Sequence, residues 1–104
     1  MRFEVRFTDE ARADVSRLLD YLVDQAETLE ELAHAMETMD ELESSVINHL
    51  SRSPFTFRKA GMDSFVRELV VPAGSTGYVV LYEIQPPATV MVGAVRHQRE
   101  EDYR

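Results

Sequence analysis

The sequence predicts a single α+β domain over residues 1–104, with the element order β-α-α-β-β-β. An N-terminal strand and an antiparallel two-helix hairpin precede a three-stranded antiparallel sheet, with the helices packed on one face of that sheet. Three observations carry this reading. Residues 2–7 alternate apolar with charged, residues 9–50 carry two helical apolar stripes, and the chain after Pro54 turns to strand-like apolar runs broken by Pro/Gly segments.

Phe3, Val5 and Phe7 alternate with Arg2, Glu4 and Arg6, the two-residue period of a strand with one buried face. Thr8 suits a helix N-cap, and Asp9 and Glu10 suit the positive end of the helix dipole. Val15, Leu18, Leu19, Leu22, Val23 and Ala26 then recur at i, i+3, i+4, i+7, so the helix is expected over 9–26. Thr28-Leu29-Glu30-Glu31 reads as a capping box opening a second helix. Leu29, Leu32, Met36, Met39, Val46, Ile47 and Leu50 continue its stripe, and Met36 and Met39 read as core filler. Ser53-Pro54 ends it, because a residue before proline avoids the helical region.

Residues 55–63 read as an irregular connection. Phe65, Arg67, Leu69 and Val71 share one face of the next strand, and 72–77 reads as a loop. Tyr78 to Ile84 is nearly continuous apolar and aromatic, as in a central strand covered on most of both faces. Residues 85–88 turn the chain, Thr89 to Val95 form the last strand, and the polar tail 96–104 is expected to leave the sheet.

Composition bounds the function. The chain has no cysteine, so neither a disulfide nor a thiolate metal site is possible, and a reducing compartment fits. No apolar run approaches the ~20 residues of a membrane span, and Met1-Arg2-Phe3-Glu4 opens no secretory segment. A cytoplasmic protein is expected. The formal net charge is −8, and it is unevenly placed. Residues 9–43 hold twelve acids against Arg12 and Arg17, a balance of −10, whereas 52–104 hold seven cations against six acids, a balance of +1. A chain of this charge opposes nucleic acid at long range, leaving only a local patch to meet it.

His34, His49 and His97 lack ligand spacing, so no metal and no cofactor are expected. The segment 74–77 is too short for a phosphate-cradling loop. Two features remain. Arg67 interrupts an apolar strand face, as an edge gatekeeper or a positioned cation would. Arg96, His97, Arg99 and Tyr103 place cations, an imidazole and a phenol just past a buried strand, either as a solubilising terminus or as a site held rigidly yet open to water.

Phe3 to Phe7 followed by Thr8, the stop at Leu50 to Pro54, Val66-Arg67-Glu68-Leu69, Gly77-Tyr78-Val79-Val80-Leu81-Tyr82 and the tail from Arg96 to Tyr103 together resemble the RelE/ParE superfamily of toxins from type II toxin–antitoxin modules. The resemblance spans essentially the whole chain and implies the same β-α-α-β-β-β fold. It also implies one of two activities: ribosome-dependent mRNA cleavage in RelE-like members, or inhibition of DNA gyrase by non-enzymatic ParE-like members. In the nuclease branch an arginine commonly follows the Gly-Tyr of the central strand, and here that position is Val79. Loss of such a cation typically lowers the rate ~10²–10³-fold. The ParE-like reading is therefore favoured: a gyrase-inhibiting toxin of plasmid-stabilisation type that arrests growth unless its antitoxin is bound. The alternatives are an mRNA endonuclease using His97, Arg99 and Tyr103, and a non-toxic interaction module. The resemblance implies a ParD-like or similar antitoxin, encoded alongside, lying over the hairpin and sheet edge. Target- or antitoxin-binding residues are expected among Phe65, Arg67, Leu69, Arg96, His97, Arg99 and Tyr103. The acidic hairpin suggests that the antitoxin carries basic residues. Operator DNA is expected to be met by the antitoxin and not by this chain.

Overall fold

Thr8 and Thr28 start the two helices as their side chains dictate. The computed structural model describes residues 2–74 and 76–99. In it, Thr8 Oγ1 accepts the Ala11 N–H at 3.0 Å and caps α1 (Asp9–Gln25). Thr28 Oγ1 accepts the Glu31 N–H at 3.1 Å and caps α2 (Leu29–Arg52). The carboxylate of Glu31 returns to the Glu27 N–H, one residue before the cap. Acids in both first turns face the positive helix ends, and Arg52 lies in the last turn of α2.

The helices lie on a five-stranded mixed sheet. Its strands are β1 (Glu4–Phe7), β2 (Arg58–Lys59), β3 (Val66–Ala73), β4 (Thr76–Gln85) and β5 (Thr89–His97), arranged β1-β5-β4-β3-β2. β3, β4 and β5 form the expected antiparallel meander. β1 adds to it parallel to β5, and β2 covers the start of β3. Inward side chains Leu69, Val71, Tyr78, Val80, Tyr82, Ile84, Val90, Val92 and Val95 meet Ala11, Leu18, Met39, Leu42, Val46 and Leu50 of the helices.

β5 contains one residue too many. Leu81 pairs with Ala94 but Tyr82 pairs with Val92, which leaves Gly93 as a bulge. The shift reverses alternation along the strand. Val90 and Val92 face the helices before it, Val95 does so after it, and Arg96 opposite Val79 faces away. α1 holds this irregularity through its own groups. The Thr8 N–H donates to Val92 O at 2.9 Å and its hydroxyl donates to Gly93 O at 3.4 Å. The buried carboxylate of Asp14 accepts the Val95 N–H at 2.9 Å, and Arg17 approaches both Asp14 and Val95 O.

Four sequence readings change. The connection after Pro54 contains the short strand β2, and β5 runs on through Arg96 and His97, so the tail leaves the sheet two residues later than expected. Pro72, Ala73, Thr76 and Gly77 are not loop but strand, Pro72 and Ala73 pairing with Gly77 and Thr76, and Gly74 follows β3 at φ 62°. Met39 is buried, but Met36 is not core filler, because it is 56 % exposed on the outer side of α2. Residues 100–104, including Tyr103, lie outside the described residues.

Asp14→Ala leaves a buried backbone N–H without its acceptor at the bulge. We expect a loss of about 1–3 kcal/mol in urea-denaturation stability, with Asp14→Asn retaining part of it. Stability unchanged in Asp14→Ala would remove the carboxylate from this role.

Candidate functional site

Two ends of the sheet carry the side chains able to act on a partner. At one end, the C-terminal turn of α1, α2 from Glu30 to Ser45, and the end of β3 with Gly74 after it surround a groove of about 1030 Å³. Leu22, Leu42, Val71 and Tyr78 give it apolar walls, and Glu30, Glu31 and Glu41 contribute carboxylates. Among the described residues, no lysine or arginine lines it. The groove runs beside an open sheet edge: β2 pairs with Arg67 and Glu68 and reaches no further along β3. The backbone of Leu69 to Ala73 is thus free on that side among the described residues, in the form an added strand requires.

His97 stands at this end. Its ring meets Tyr78 edge-on with centroids 5.5 Å apart. Nδ1 accepts the Arg99 N–H at 3.1 Å, which leaves Nε2 to carry the proton in the neutral ring and to donate to Thr76 Oγ1 at 3.3 Å. Arg96, on the other face, bends along the chain so that Nη1 reaches His97 O and Gln98 O at 3.4 and 3.5 Å. Gly77 permits this crowding. A Cβ there would lie 2.6 Å from Val71 O, and its own carbonyl accepts the Gln98 N–H.

The other end is organised by Arg67. Its guanidinium donates to Ser64 O at 2.8 Å, Phe55 O at 2.9 Å and Phe57 O at 2.8 Å, and it stands 5.4 Å over the Phe55 ring. Phe55 packs edge-on against both Phe3 and Phe65. Beneath them the Tyr82 hydroxyl donates to Pro54 O at 2.6 Å. Arg67 is a fastening for the segment between α2 and β3, and Leu69, at 2 % exposure, is core.

The sequence candidates therefore divide between the two ends. Phe65 and Arg67 lie at one end. His97 and Arg99 lie at the other, with Arg96 beside them on the opposite face. Arg67 pairs with Tyr82 and His97 with Tyr78, four residues apart on β4 and so roughly 13 Å. The groove residues Glu30, Glu31, Glu41, Val71 and Tyr78 were not singled out from sequence. The acid density of 9–43 was their one visible signal, and it does not say which carboxylates share a wall. Among the described residues no three His, Asp or Glu side chains gather as metal ligands would, and no helix is long and apolar enough to cross a membrane.

Burial pushes the Tyr82 phenol up to about 12, with Arg67 pulling part of the way back, and burial also raises Tyr78. Below the ordinary value of 10.0 both folded and unfolded chains keep the Tyr82 proton. As pH rises from there towards 12 the unfolded chain loses it first, so this contribution to stability falls across that window. Tyrosinate absorbance should show a component near pH 12 that is missing in Tyr82→Phe; a single transition centred near the ordinary value of about 10 for every tyrosine would contradict this.

Comparison with known proteins agrees with this architecture. The family described as the ParE toxin of type II toxin–antitoxin system, parDE, matches residues 5–102. Among solved structures, the chromosomal ParDE system from P. aeruginosa is similar at a TM-score of 0.69 and 13 % identity, over 92 % of this chain and 96 % of that one. The RelBE2 toxin–antitoxin complex from Mycobacterium tuberculosis is similar at 0.64 and 20 % identity, over 96 % and 95 %. A search of curated protein sequences gave no match. At such identities the structures speak for the fold alone, whereas the family match covers nearly the whole length of the sequence. This chain belongs to the ParE family of toxins of type II toxin–antitoxin systems.

Proposed function

We propose that this toxin acts in the cytoplasm as a binding inhibitor of DNA gyrase and not as a ribonuclease, and that an antitoxin lying in the acidic groove holds it inactive. Cleavage of RNA without a metal needs a base, an acid and a phosphate-binding cation converging on one phosphate. The observation that carries the reading is the state of the cations nearest the central strand. Val79, buried and apolar, occupies the β4 position opposite Arg96. Arg96 bends back onto backbone carbonyls, and the three Arg67 hydrogen bonds hold that guanidinium against a loop. His97 receives the Arg99 N–H on the nitrogen a general base would use.

The groove suits an antitoxin of the expected chemistry. An extended segment could add to β3 along Leu69 to Ala73, exchanging main-chain hydrogen bonds. Its apolar side chains would enter between Leu22, Leu42 and Val71, and its basic residues would meet Glu30, Glu31 and Glu41. The RelBE2 structure, described as a toxin–antitoxin complex, supports a protein partner of this kind.

Purified protein should inhibit supercoiling by DNA gyrase, and the protein encoded by the adjacent reading frame should relieve the inhibition. Unaffected supercoiling together with codon-positioned mRNA cleavage in a translating extract would replace this reading by the nuclease one. Expression without growth arrest would leave an interaction module.

A further inference from the structure

We propose that the end of the sheet opposite the groove is the toxin's target-docking surface, and that it takes an acidic protein surface with an apolar centre. This rests on the toxin reading but not on which target is struck.

Residues 44–62 contain no acid, and Arg52, Arg58 and Lys59 fall within them, in a chain whose net charge is −8. The acids that share this end, Asp63, Glu68 on Arg58 and Glu83 opposite Val66, are outnumbered by these three cations together with Arg2 and Arg67. The fold brings Arg2 to the same place, since the Phe3 N–H donates to Ser51 O and Arg52 follows. At the same end the Phe55 and Phe65 rings meet edge-on, 6.0 Å apart, and stay partly exposed. Phe55 is 49 % exposed, Phe65 40 %, and Met62, three residues before Phe65, is fully exposed. Large apolar side chains gathered on a rigid surface are the usual anchors of a protein interface.

The rigidity is the independent observation. Three charge-assisted hydrogen bonds from Arg67 and the buried Tyr82–Pro54 bond fix a segment that otherwise only links α2 to β3. The Asp63 carboxylate also accepts the Phe65 N–H at 2.8 Å, which fixes the entry to β3. Holding exposed aromatic rings in one arrangement lowers the ordering cost of binding, which a plain connection does not need.

Charge decides the occupant. A cationic rim is matched by carboxylates, and the groove, which begins at Val71, roughly 17 Å from Val66 along β3, carries the opposite sign. Nucleic acid fits less well. The chain's net charge of −8 opposes a polyanion at long range, whereas a local acidic patch on a protein meets only this end. The two ends therefore recognise partners of opposite charge.

The test expresses wild type, Lys59→Glu/Met62→Glu, and the control Glu37→Lys/Asp40→Lys from one inducible promoter. Each is measured at matched protein level, with Tm within about 2 °C of wild type. We expect the Lys59/Met62 variant to need about tenfold more protein to arrest growth, while the control arrests as wild type does. Equal potency of the Lys59/Met62 variant, equal weakening of the control, or no arrest by wild type would each overturn the proposal. So would binding of wild type to a single-stranded oligonucleotide that the Lys59/Met62 variant loses. If wild type arrests growth but leaves gyrase supercoiling intact, gyrase falls as the target and the growth comparison still judges the surface.

Discussion

The carboxylate of Asp14 and the N–H of Val95, 2.9 Å apart, set which way the end of β5 faces. A bulge leaves one N–H out of the ladder, and a buried orphan of that kind costs about 1–3 kcal/mol. α1 supplies the missing acceptor, and Thr8 and Arg17 deal with the adjoining groups. With the extra residue accommodated, Val95 returns to the core, and Arg96 pairs with Val79 on the outer face. His97 pairs with Tyr78, whose ring it meets at the groove end. Without the bulge, strand alternation would send Arg96 toward the helices. The placement of every candidate on β5 thus depends on one helix side chain gripping one strand amide.

The second organising feature is the separation of charge along the molecule. Acids crowd the hairpin and the groove it borders, while residues 44–62 are free of them. Such a distribution steers partners of opposite sign to opposite ends and affects association rates more than final affinity. It suits a protein that must be met by one partner and directed at another. Arg67 belongs to this arrangement as a structural cation. Its planar fork reaches three carbonyls at once, a geometry that lysine does not reproduce.

Much of the fold could be read because its determinants are local. Thr8 and Thr28 cap where their spacing from the apolar stripes says they should, Pro54 follows the end of α2, and the apolar run from Tyr78 becomes the central strand. The remainder depends on contacts between distant segments. β2 is only two residues long and exists because Arg58 and Lys59 fall opposite Glu68 and Arg67. The bulge at Gly93 requires Asp14, 81 residues away in sequence. Arg67 could be singled out as an anomaly, but its role needed the carbonyls of Ser64, Phe55 and Phe57, which no side-chain pattern reports. Met36 matched the helical stripe and still lies outside, since Ala35, Met39, Leu42 and Val46 form the packed face of α2 and Met36 falls beside it. The site was legible only in part: Phe65, Arg67 and His97 were named, but their division between two ends was not.

If the two ends serve different partners, amide hydrogen exchange will show it residue by residue. Exchange should be followed for the toxin alone, with the protein encoded by the adjacent frame, and with DNA gyrase. The first partner should protect Leu69 to Ala73 and α2 from Glu30 to Ser45, and gyrase should protect residues 53–65 without slowing exchange in the groove. Protection of the same residues by both partners would contradict it.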